Sequence, residues 1–574
     1  MRYVPLLLMA CLLLGFEAPL CAQNPYRPLT AEARAKIERV LPATAAAKVD
    51  SPRRLLIYDG NVDYGGHRSI AYANYAFRRM GEKTGAFTTV ISHDPAVFRK
   101  SNLKQFDAVC FNNTVGNLFT DPQLRANLLE FVLSGHGLLG IHGTSVAFTD
   151  FRHGAKETWP EFAYLLGGRG AAHLSQDEHI FIKLDAPRHP LNRPFGGHGF
   201  EYTSEFFRVH APYSRDRVRV LFSIDTNKTQ LPPPGTHPGI ERPDHDYALA
   251  WTHNYGRGRV VYCTIGHSPN DFMNRKILEF YLGAIQFIMG DLPGSTTPSD
   301  RLTPAVRARE KLGWRLGLTA WGLHTYTLFE TIDKAHQLGL SYLGGLSFQK
   351  VSKSIPKNFD CNLTDEELTQ VRLKMAAAGI RMPTCFYATI PTDEAGCRKV
   401  FEFGRKLGIE TFISEPPPEA LDLIERLCDE YDINLAIHNH GPKQSPIYWR
   451  PEGILKVCQG RSKRIGACPD TGYWIRSGID PVEGIRKLGD RVITIQPHDL
   501  NECSPTGHDV PWGTGQADFE KLVRTIRQLG IRPTLFGVEY SYKFTDNLPE
   551  TAACIKFFDR LSVQLTAPSN DAGK

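Results

Sequence analysis

Eight short apolar runs follow one another between residues 314 and 565, each ending in polar residues and each followed by a helix-like stretch. They are RLGLTAW, LSYLGGLS, IRMPTCFY, ETFISEP, NLAIHNH, RIGACPD, VITIQPHD and TLFGVEY. Eight such units in about 250 residues predict a (β/α)8 barrel, in which every strand end opens onto one face. Residues able to bind a divalent metal gather at the later ends: His438, His440, Asp470, Gln496, His498 and Glu539. Side chains alternate along a strand, so His438 and His440 share a face, as do Gln496 and His498. Any one such residue could simply solvate the rim of a barrel. Four strands ending this way favour a His/Asp/Glu site with an amide nearby, suited to Mn2+ first and also to Zn2+, Fe2+, Co2+ or Mg2+.

A different body precedes the barrel. From residue 52 to 290, strand-like runs such as RRLLIYDG, FDAVCFNN, HGLLGIHG and GRVVYCTIGH alternate with helix-like ones such as SIAYANYAFRRMGEK. That alternation predicts an α/β domain with a mostly parallel sheet covered by helices. Residues 291–313, rich in Pro, Ser, Thr and Gly, read as the linker, and residues 566–574 as a tail. A chain of 574 residues, 42% hydrophobic, can bury two such cores. Its net charge of +6 is spread thinly, which argues against nucleic acid as a partner.

The first 22 residues read as an export signal. Arg2 gives the positive start, VPLLLMACLLL the apolar centre and LCAQN a cleavage point after Ala22. A periplasmic or secreted protein is expected, with lipid attachment at Cys11 as the lesser alternative. No later stretch approaches the roughly 20 apolar residues of a membrane span. Ten of the 12 cysteines lie beyond the signal, scattered singly, and read as small buried residues. The sequence selects no disulfide pair and leaves oligomerisation open.

The barrel segment resembles the xylose-isomerase-like family of sugar isomerases and epimerases, which also covers deglycosidases acting on 3-keto sugars. The match rests on IHNHGP (437–442), DTGYWIRSGIDPVEGIRKLGDRV (470–492), QPHDL (496–500), HDVPWGTGQADF (508–519) and GVEY (537–540). The resemblance implies a divalent metal held by His438, Asp470, Gln496 and Glu539. The pattern departs from the family where His438 replaces a Glu, where Gln496-Pro497-His498-Asp499 replaces His-x-Lys-Asp, and at Tyr473. The third ligand is then the Gln496 amide or His498. Glu539 remains as the single proton-transfer carboxylate.

Residues 52–290 resemble the trehalose-utilisation (ThuA-like) domain, a relative of the class I glutamine amidotransferase fold. The matching pieces are YGGHRS at His67, GLLGIHGTS at His142, WPEFAYLLGG before His173, and WTHNYGRGRVVYCTIGH ending at His267. Where an amidotransferase carries its nucleophilic Cys, this chain has His142, and Cys110 and Cys263 sit within apolar strands. Covalent thiol chemistry is therefore not expected. His67, His142, His173 and His267, with Glu205, form a candidate metal or sugar pocket; the alternative is that each caps a strand.

The sequence thus predicts an exported enzyme acting on a small sugar or glycoside. The expected reaction is metal-dependent lysis of a 3-keto glycoside, with Glu539 as base and His440 or His498 serving the leaving oxygen. A keto-sugar isomerase or epimerase is the alternative, and a non-catalytic carbohydrate-binding protein the third reading.

Overall fold

The computed structural model describes residues 28–151 and 155–567. The export signal read over residues 1–22 and most of the 566–574 tail lie outside the described residues. Two bodies follow each other along the chain, each with its own hydrophobic core.

The first body is built on a nine-stranded sheet. Thr88–Ser92, Arg54–Tyr58, Ala108–Asn112, Gly137–Ile141 and Gly258–Cys263 lie side by side in parallel. Ala248–Tyr255, Arg219–Ile224, Glu178–Leu184 and Phe200–Ser204 extend the sheet antiparallel. The central runs are almost wholly buried because both faces are covered. Leu55 and Ile57 point to a core shared with helices Ser69–Thr84 and Arg275–Ile288, whereas Leu56 and Tyr58 point to one shared with Pro122–Leu133 and Pro160–Leu166. Helix Ala31–Val40 packs Ile37 into the first of these cores, so the folded body begins ahead of residue 52.

The second body is a parallel barrel. Its strands run in the order Leu316–Thr319, Tyr342–Leu346, Arg381–Phe386, Thr411–Ser414, Asn434–His438 and Ile465–Cys468, with Phe536–Val538 against the first. Residues 492–496 close the ring. Parallel bridges Ala467↔Val492 and Asp470↔Gln496 join them to one edge, and Ile495↔Phe536 joins them to the other.

Only part of the 291–313 stretch is a connector. Thr303 caps, and Pro304 opens, the helix Pro304–Leu312, which ends at the left-handed Gly313 and ties Arg309 to Asp559 of the last helix. Just before it, Arg301 joins the two bodies. Its guanidinium pairs with Asp216 of the first body at 2.8 Å and donates to the barrel carbonyls of Leu340 and Ala378, both at 3.0 Å. No described helix is long and apolar enough to cross a membrane, and all ten described cysteines are free, Cys110 and Cys263 deep in the first core.

Candidate metal centre

Four consecutive barrel strands deliver the site. His438 is the last residue of Asn434–His438, Asp470 caps helix Thr471–Arg476, His498 follows the closing segment, and Glu539 directly follows Phe536–Val538. All four are buried. Asp470 uses Oδ1 to accept from the backbone N–H of Tyr473 at 3.0 Å, which turns Oδ2 toward the barrel axis. That oxygen lies 3.6 Å from His438 Nε2 and 3.6 Å from His498 Nε2. His498 Nε2 lies a further 3.9 Å from Glu539 Oε1. Ligand atoms of Asp470, His498 and Glu539 all fall within 4.8 Å of one another.

The fit to a cation rests on His498. Its Nδ1 lies 2.8 Å from Asp509 Oδ1, which fixes the proton there and leaves Nε2 facing the carboxylates. Nε2 is buried with no hydrogen-bond partner. An imidazole oriented by an outer carboxylate, with its other nitrogen aimed at two acidic groups, is how proteins present histidine to a metal.

Gln496 stands elsewhere than the resemblance implies. Its Nε2 donates to Glu539 Oε2 at 3.3 Å, so it orients that carboxylate, and the side chain that faces Asp470 Oδ2 from this strand is His498. Thr471 makes the difference: its Oγ1 accepts the His498 backbone N–H at 2.7 Å and draws residue 498 inward. His440 is half-buried and pairs with Glu415, a residue the sequence reading passed over. Glu415 Oε1 also lies 3.4 Å from His438 Nδ1, so one carboxylate holds both histidines. The signal for it was the Glu closing ETFISEP, placed as the other ligands are.

Electrostatics follow from this crowding. Burial alone would lower His438, but Asp470 and Glu415 outweigh it and raise the imidazole to about 9. His498 is likewise held well above its ordinary value against burial, by Asp470 and Asp509. Burial pushes Glu539 up to about 7; the His498 charge opposes that shift and the Asp470 charge adds to it. Burial disfavours the Glu415 carboxylate too, yet its hydrogen bonds from His438 and His440 take it down to about 2. Protons on the histidines thus balance the carboxylates. A divalent ion would supply the same positive charge and release those protons.

The mouth of the barrel carries apolar rings. Trp321 and Phe348, beyond the ends of the first two strands, are 38% and 41% exposed, large values for aromatic side chains. Their ring centroids are 6.1 Å apart at 75°. Phe386 packs edge-on against His438 at 5.5 Å.

The pocket residues read in the first body also come together. His67, His142, Glu205 and His267 offer ligand atoms within 4.8 Å of one another, and His173 Nδ1 lies 3.3 Å from Glu205 Oε2.

Comparison with known proteins agrees with the two bodies. Residues 54–288 match the trehalose utilisation (ThuA) family, and residues 418–561 match the xylose isomerase-like TIM barrel family. A solved structure of an uncharacterised protein from Parabacteroides distasonis is 29% identical over 43% of this chain and 99% of its own, with a TM-score of 0.37. A ThuA-like protein from Bacteroides uniformis is 19% identical over 44% of this chain and 97% of its own, TM-score 0.35. A D-tagatose 3-epimerase-like protein is 14% identical over 44% of this chain and 100% of its own, TM-score 0.35. No curated protein matches the chain. The chain joins a trehalose-utilisation (ThuA) domain to a xylose isomerase-like TIM barrel domain.

Proposed function

We propose that the chain is an exported, metal-dependent enzyme of sugar chemistry whose barrel cleaves 3-keto glycosides by removing the proton next to the ketone and expelling the aglycone. The observation that carries this reading is Glu539, a buried carboxylate raised to about 7 beside the Asp470–His498 pair. A buried carboxylate beside the atoms that would hold the ion is placed to act as the base. His438, Asp470, His498 and Glu539 would hold the ion, with Mn2+ first among the candidates. When bound, such an ion supplies Lewis-acid stabilisation of the charge developing on the ketone oxygen.

The chain's own groups do the rest. Glu539 takes the C2 proton, and the C2–H electron pair becomes the C1–C2 double bond as the C1–O bond breaks. The departing oxygen needs a proton, and His440, held by Glu415 at the half-exposed side of the site, is placed to give it. Water added across the new double bond makes the overall reaction a hydrolysis. Trp321 and Phe348 offer exposed aromatic faces on which a sugar ring can stack.

An epimerase needs a second proton donor on the opposite face of the sugar. The additional carboxylate is Glu415, which its histidines hold at about 2, too acidic to shuttle protons near neutrality. Against that, the match of residues 418–561 to the xylose isomerase-like family supports a keto-sugar isomerase or epimerase as the alternative reading. Glu539→Gln should abolish turnover of a 3-keto glycoside while calorimetry still detects sugar binding. A fully active Glu539→Gln enzyme would remove Glu539 from the role of base.

A further inference from the structure

We propose that the ThuA domain holds a metal centre of its own, a first-row divalent transition ion of the Zn2+ class bound by His67, His142, Glu205 and His267. The site lies in the crevice at the carboxyl ends of the parallel strands, where open α/β sheets bind their ligands. His142 directly follows Gly137–Ile141, and His267 comes four residues after Gly258–Cys263. His67 precedes helix Ser69–Thr84, and Glu205 follows Phe200–Ser204.

The three imidazoles stand in a near-equilateral triangle. Ring centroids are 5.1 Å apart for His67 and His142, 5.3 Å for His67 and His267, and 5.2 Å for His142 and His267. Glu205 closes the set, with Oε1 at 3.3 Å from His142 Nε2 and Oε2 at 3.6 Å from His267 Nε2. His142 is fully buried, and His67 and Glu205 nearly so.

The tautomer of His142 makes the case. Its Nδ1 is 2.7 Å from the carbonyl oxygen of Thr264, an atom that can only accept, so Nδ1 carries the proton. In the neutral ring Nε2 is then a lone pair pointed at a carboxylate oxygen. Two such atoms repel unless a positive charge lies between them. His142 Nε2 and His67 Nδ1 are both buried without a hydrogen-bond partner, which leaves them free to donate electron pairs to one ion.

The backbone accommodates the cluster at a cost. His142 has a φ of 43°, a left-handed value that few side chains adopt. At the next residue a Cβ would lie 2.9 Å from His67 Cε1, so glycine is required at 143 for the rings to meet. Three imidazoles and one carboxylate are the donor set of zinc and related first-row ions, and too rich in nitrogen for Ca2+ or Mg2+. The side chains of His173 and His267 are about one-fifth exposed, so the ion would have a solvent side on which a substrate oxygen could bind.

The test is the cobalt content of the full-length protein after reconstitution with Co2+ and desalting, read by elemental analysis and by visible absorption. Wild type should retain two equivalents. Asp470→Asn, which damages only the barrel centre, should retain one, and Glu205→Gln should also retain one while keeping the barrel's spectrum. If Glu205→Gln does not fold, His267→Gln at the more exposed ligand serves instead, and the Asp470→Asn result decides on its own. An Asp470→Asn protein that retains no cobalt overturns the proposal, as does a folded Glu205→Gln that keeps both ions. A wild type that retains a single ion, still present in Asp470→Asn and lost in Glu205→Gln, would count against the barrel reading and leave this one standing.

Discussion

Asp509 never reaches the proposed ion, yet replacing it should weaken metal binding by a calculable amount. Its Oδ1 accepts the His498 Nδ1 proton at 2.8 Å, and its Oδ2 accepts the Ser541 backbone N–H at 2.7 Å. Burial disfavours the Asp509 carboxylate, but His498 holds it below its ordinary value, so it is ionised at neutral pH. In Asp509→Asn one of the two acceptors becomes an NH2 group. Whichever way the amide turns, a donor then faces either the His498 N–H or the Ser541 N–H. Losing an outer partner of a ligating histidine lowers metal affinity about 10- to 100-fold, or about 1.4–2.7 kcal/mol. Competition between the protein and a fluorescent chelator for Mn2+ would measure this. Urea unfolding of the metal-free variant separates the effect from general destabilisation. An Asp509→Asn protein that binds Mn2+ within twofold of wild type would show that His498 is not presented to an ion in this way.

Two further predictions concern the frame. Arg301→Met leaves Asp216 and the carbonyls of Leu340 and Ala378 without their shared donor, so urea unfolding should show a loss of about 3 kcal/mol; unchanged stability would mean the two bodies do not rely on this tie. His189 is neutral in the fold, because its Nδ1 accepts from the Leu191 N–H at 3.3 Å while Nε2 donates to the Ser295 carbonyl. Burial lowers it from 6.5 to about 4, so the stability it contributes is complete above pH 6.5 and is lost as the pH falls toward 4. The full effect is about 3 kcal/mol, and His189→Gln should flatten that part of the stability profile. An identical acid slope in the variant would contradict it.

The barrel was legible because its strands are apolar runs with metal-binding residues at fixed offsets, and the period alone sets which side chains share a face. The choice between Gln496 and His498 was not legible. Both lie on one face of the same segment, and contacts from elsewhere, Thr471 and Asp509, decide which one faces Asp470. Glu415 escaped notice because its role depends on a neighbouring strand, where His438 and His440 meet it. In the first body the runs announced strands, and the GRGR stretch at 256–259 reads as a hairpin turn between two of them. ALAWTHNY and GRVVYC are as apolar as the parallel strands, and only the two-residue turn at Gly256–Arg257 makes them an antiparallel hairpin.

Proton transfer next to a ketone leaves a record in heavy water. The purified protein would be incubated in D2O with a 3-keto-glucoside and Mn2+, and in parallel with chelator, and proton spectra taken after removing the ion. Release of the aglycone in the Mn2+ sample alone is the expected result. Deuterium at carbon 2 or 4 of an intact glycoside would show exchange without elimination and favour an epimerase. An unchanged glycoside in both samples would contradict the assignment of this barrel to 3-keto glycosides.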